Sequence, residues 1–142
     1  MKATTRNQFT GTVKAVTTGP VTAQVTLALD GGCEIVATLT AAAAQRMGLK
    51  AGDPALALIK ASAVVLVTDF DGWQLSARNQ LAGVVSRIES GPVSSLVVLT
   101  LPGGMSLSAT VTHEGADALS LKVGAPVTAA FKAFSVMVAT RA

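Results

Sequence analysis

From Val21 to Leu29 the chain reads V-T-A-Q-V-T-L-A-L, with apolar side chains at alternate positions. That period of two is the mark of a strand with one buried face. Gln8 to Gly19 alternates in the same way and stops at Gly19-Pro20. After Leu29, Asp30-Gly31-Gly32 signals a hairpin turn, and Cys33 to Thr40 supplies the returning strand. The period then changes. Ala41 to Met47 is rich in helix-favouring Ala, Thr40 stands where an N-cap belongs, and Gly48 stands where a C-terminal glycine belongs. A turn at Lys50–Pro54 leads to two further apolar stretches, 55–61 and 63–68, which predict the closing strands.

The same order is written twice. Residues 4–68 align with 76–140 at a constant offset of 72 and without a gap, giving 26 identities over 65 positions. Thr112 takes the N-cap place before the second helix, His113 to Ser120. Five short strands and one short helix in each half predict an all-β chain of two tandem OB-like five-stranded β-barrel modules. The boundaries expected from the repeat are 1–68 and 76–142, with 69–75 as linker. That linker holds the only Trp, Trp73, which is expected to cover the seam between modules.

Composition adds a constraint. Half of the 142 residues are hydrophobic but only 13% are charged, against about 25% in an average chain. A small domain with so little charge has apolar surface to hide, which favours subunit association. Net charge is +3 with Lys and Arg scattered. Nucleic-acid binders cluster such charges or interleave them with aromatics, so nucleic acid is not the expected partner. A lone cysteine, Cys33, excludes a disulfide framework and offers no metal-ligand spacing. No secretory leader pattern opens the sequence and no apolar run approaches the ~20 residues of a membrane span, so the expected location is the cytoplasm and no membrane is implied.

Catalytic chemistry finds no purchase in the shared residues. The only histidine, His113, is matched by Ala41, and no carboxylate is common to the two repeats. Nucleophile–base systems and paired acids both need such groups, so no catalytic residue is assigned and the chain is not expected to be an enzyme. What the repeats share is cationic or donates hydrogen bonds: Arg6 and Arg78, Lys60 and Lys132, hydroxyls at Thr4/Ser76 and Thr40/Thr112, amides at Asn7/Asn79 and Gln8/Gln80. Donors and cations without carboxylates suit an anion rather than a metal cation. Lys60 and Lys132 lie in otherwise apolar strands, where a lysine either guards a solvated sheet edge or meets a negative partner.

These residues resemble a known family. The signature S-A-R-N-Q-L-x-G stands at Ser76–Gly83 and, with Thr-Thr for Ser-Ala, at Thr4–Gly11; Gly-Pro-Val follows in both halves. The pattern is similar to that of the molbindin (Mop/TOBE) family of molybdate-binding domains, and it covers both repeats. The resemblance implies an OB-like module that binds molybdate, and tungstate as well, at interfaces between modules. It also implies a homo-oligomer, a trimer for a tandem chain, serving molybdenum storage and homeostasis.

Carried onto this sequence, the family's oxyanion pocket would use Thr4, Arg6, Ser76 and Arg78, the helix-start residues Thr40 and Thr112, and the positions Ala43 and Gly115. At those last two positions relatives often offer a hydroxyl, and here only a backbone N–H remains. Lys60-Ala61 and Lys132-Ala133 would complete the pocket from a neighbouring module. A second class of anion site is part of the family pattern, with Asn7, Asn79, Gly19, Val21, Gly91 and Val93 as its candidates. Alternative readings are a molybdate-sensing module that signals to another protein, a nucleic-acid-binding OB protein, and a pterin binder, which would need a large apolar cleft.

Overall fold

The computed structural model describes residues 1–142. Its strands are β1 (Asn7–Thr18), β2 (Thr22–Leu29), β3 (Glu34–Thr40), β4 (Pro54–Ile59) and β5 (Val65–Val67). The second half supplies β6 (Asn79–Ser90), β7 (Ser94–Thr100), β8 (Ser106–Thr112), β9 (Pro126–Phe131) and β10 (Val136–Ala139). Helix α1 is Ala41–Met47 and α2 is His113–Ala118, and short 3₁₀ turns occupy Ala61–Ala63 and Ala133–Ser135. The helix and hairpins lie where the pattern puts them. The expected closing stretch 55–61 ends early, because the chain turns through Ala61–Ala63 before β5.

All pairing is antiparallel, and one sheet runs β10-β4-β1-β2-β3, the other β5-β9-β6-β7-β8. Each sheet therefore takes one strand from the other repeat. Val136 to Ala139 pair with Ile59 to Leu56, and Val65 to Val67 pair with Ala130 to Thr128. The compact units are Met1–Ile59 with Lys132–Ala142, and Lys60–Phe131. These compact units differ from the sequence repeats 1–68 and 76–142, and 69–75 lies inside the second unit. Trp73 is 78% exposed in the chain.

Packing explains why the exchange holds. Val136 is only 2% exposed and lies in the first unit's core with Val13, Val25, Leu27, Ile35 and Ile59. In return Val64 and Leu66 are buried in the second unit. Both long strands bend at a bulge, between Val13 and Ala15 in β1 and between Val85 and Arg87 in β6. The bulge lets one strand serve two ladders, β4 then β2, or β9 then β7. At Gly11 a Cβ would lie 2.3 Å from the Ala28 carbonyl oxygen, so the shared glycine is required by the close approach of β2.

The first repeat alone lacks the strand that covers β4, while its own β5 lacks a ladder partner. A chain of residues 1–68 is expected to form a dimer in which two copies exchange β5. Light scattering after size exclusion checks this, and a folded monomer at micromolar concentration would contradict it.

Candidate functional site

The signature segments run into β1 and β6: Thr4 to Arg6 and Ser76 to Arg78 precede these strands, and Asn7 and Asn79 open them. Arg6 and Lys60 immediately flank the last ladder pair, Asn7 opposite Ile59. Arg78 and Lys132 flank the equivalent pair, Asn79 opposite Phe131. The ladders thus bring the arginine and lysine of one repeat to the same strand ends, where the chain leaves for its 3₁₀ turn. All four cations are exposed, and none makes an ion pair. The four side chains lie one residue beyond the ladders. Ala61 and Ala133 are buried and open the turns, which are closed by Ala63 N–H donating to Lys60 O (3.0 Å) and Ser135 N–H to Lys132 O (2.9 Å).

The hydroxyl residues Thr4 and Ser76 are exposed and lie outside any ladder. What holds them is a side chain not assigned to the site from sequence. Gln8 Nε2 donates to the carbonyls of Ala3 (3.2 Å) and Thr5 (2.9 Å). Gln80 Nε2 donates to those of Leu75 (3.4 Å) and Ala77 (2.9 Å). The repetition of glutamine was the available signal.

Thr40 and Thr112 both cap their helices. Thr40 Oγ1 accepts from Ala43 N–H and Thr112 Oγ1 from Gly115 N–H, each at 3.0 Å. The backbone N–H groups of Ala43 and Gly115 thus have a partner in their caps. Each threonine keeps its own O–H proton to donate. By register Thr40 faces Thr22, beside the far end of β1 from Arg6, and no hydrogen bond or ion pair joins the two groups. The arginine and the helix-capping threonine thus stand toward opposite ends of the first strand of their repeat.

The candidates for a second anion site are largely occupied by the fold. Asn7 and Asn79 are 2% and 3% exposed and are engaged. Gly19 and Gly91 donate to Thr22 O and Ser94 O, while Val21 O and Val93 O accept from Ala41 N–H and His113 N–H. These turns tie each helix start to the preceding hairpin. Beside α1 lies a cleft of about 460 Å³ lined by Val16, Pro20, Ala44 and Leu49 among others, with no aromatic side chain against which a pterin ring would stack. No group of three or more His, Cys, Asp or Glu side chains is placed to hold a metal ion.

Removing a cap exposes the first helical N–H groups. Thr112→Ala is expected to destabilise the chain by about 1 kcal/mol in urea unfolding, with Thr112→Ser close to the parent. Equal stability of the alanine and serine variants would contradict the capping role.

The model of the TOBE domain matches residues 3–66 and 75–138. The chain is 60% identical over 141 residues to the molybdenum transport protein ModE of Herbaspirillum seropedicae, covering 99% of this chain and 52% of that one. It is 43% identical to the molybdenum-pterin-binding protein MopA of Rhodobacter capsulatus, covering 98% and 52%. The chain therefore spans about half the length of the curated relatives it matches. A solved structure of the cytoplasmic molybdate-binding protein ModG, with molybdate bound, superposes with a TM-score of 0.96 at 42% identity, covering 99% of this chain and 100% of that one. With matched segments in both halves and this fold, the chain belongs to the TOBE domain family and carries its domain in tandem.

Proposed function

We propose that this chain binds molybdate, and tungstate by the same chemistry, for molybdenum storage and homeostasis in the cytoplasm. The observation that carries the reading is the twice-built pair of cations, Arg6 with Lys60 and Arg78 with Lys132, each at a ladder end and without a carboxylate partner. The ModG structure supports it, since a full-length relative of the same fold holds molybdate.

Molybdate is a tetrahedral dianion whose four oxygens only accept hydrogen bonds at neutral pH. The hydroxyls of Thr4 or Ser76, the guanidinium and the ammonium would donate to it. Charge-assisted bonds of this kind are roughly twice as strong as neutral ones. Phosphate carries a proton at pH 7, and a pocket without acceptors leaves that O–H unpaired at a cost of about 1–3 kcal/mol.

Because Thr40 lies toward the far end of β1 from Arg6, and Thr112 toward the far end of β6 from Arg78, the proposed sites are completed by a neighbouring copy of the chain. A homotrimer is the proposed assembly, and its contacts would cover the apolar side chains exposed on the single chain, among them Val21, Val65, Val93 and Met137. A bound anion then offsets repulsion between converging cations and ties ligand to assembly.

Sensing is the second reading, favoured by the match to half of each ModE relative. Stoichiometry separates the two: a store takes up more than one anion per chain, a sensor needs one class of site.

Replacing Arg78 and Lys132 together by alanine is expected to abolish uptake at second-repeat sites while the circular dichroism spectrum is kept. Equilibrium dialysis with molybdate reads the outcome. Full uptake by the double variant would overturn the residue assignment.

A further inference from the structure

We infer that Gln8 and Gln80 are positioning residues that brace the hydroxyl-bearing arm of each anion site. The inference rests on the molybdate reading above and adds residues to it. Ala3 to Arg6 and Leu75 to Arg78 precede β1 and β6 and have no strand partner. An arm without a ladder samples many backbone states, and fixing each residue is opposed by conformational entropy. In both repeats a single amide nitrogen spans this arm. Gln8 Nε2 takes the carbonyl on either side of Thr4, and Gln80 Nε2 takes the carbonyl on either side of Ser76.

The chemistry fits that task. An amide nitrogen has two protons, and carbonyl oxygens only accept, so one side chain can clamp two peptide groups at once. The clamped residue between them is in each case the one with the hydroxyl. Gln8 and Gln80 themselves stand in β1 and β6, whose ladders to β4 and β9 fix their backbones. Each arm is thereby referred to the strand that also sets the place of Arg6 or Arg78. Preorganising a donor before the ligand arrives removes an ordering cost from binding. Neither glutamine needs to touch the anion.

The test uses the full chain carrying Gln80→Met, which keeps length and loses the donor. Without ligand, the backbone NMR order parameters of residues 75–78 are expected to fall while the melting temperature is unchanged. In calorimetry, molybdate affinity at second-repeat sites is expected to weaken about tenfold. A double-mutant cycle with Ser76→Ala separates positioning from general support. Gln80→Met should cause little further loss once the Ser76 hydroxyl is gone, whereas fully additive losses would overturn the inference. Unchanged order parameters at 75–78 would also overturn it. If the parent chain takes up no molybdate, the functional reading fails, and the order parameters still decide whether the brace exists. Gln80→Asn, whose amide falls one methylene short of both carbonyls, gives the same reading should the methionine variant fold poorly.

Discussion

The ladder between Ile59 and Val136 is the interaction on which the rest depends. Ile59 pairs with Asn7 on one side and Val136 on the other, so one residue of β4 joins the signature strand to a strand from the opposite repeat. In β9, Ala130, the counterpart of Leu58, stands between Gln80 and Val65. The first unit has its five strands only once the chain has returned with β10, whereas the second takes all five from the continuous segment Lys60–Phe131. The crossings begin at Lys60 and Lys132. The segments that exchange strands therefore also carry the lysines to the arginines, and fold and candidate site share one constraint.

The exchange was not legible in the sequence, for a physical reason. Alternation in Val65–Val67 or Val136–Ala139 says that a strand has two faces; it does not say which strand will lie beside it. The two closing strands are also close in character, Val-Leu-Val against Val-Met-Val-Ala, so either could complete either sheet. Local features were legible because local chemistry dictates them. Thr40 and Thr112 cap as their positions demand, and Gly48 ends α1 in the left-handed region at φ 62°. The second repeat departs here: Ser120 replaces that glycine and still adopts φ 51°, a conformation that disfavours a side chain.

Site residues divide along the same line. The pairing of cations with hydroxyls could be read from what the repeats share, but the state of each polar group could not. Ala43 and Gly115 offer their N–H groups to the caps, Asn7 and Asn79 are buried, and Gly19 and Gly91 close their own turns. A backbone donor is visible in any sequence, and only coordinates tell whether it is already used. Gln8 and Gln80 show the reverse. They read as two more donors for a ligand, and the structure turns them inward onto the arms that carry Thr4 and Ser76.

The central claim is that paired cations without acidic partners receive an aprotic tetrahedral dianion. Calorimetric titration of the chain with molybdate at neutral pH, in the presence and absence of excess phosphate, addresses it most directly. The account predicts saturable binding of more than one anion per chain that phosphate leaves nearly unchanged. Absence of binding heat, or loss of it when phosphate is added, would contradict the account.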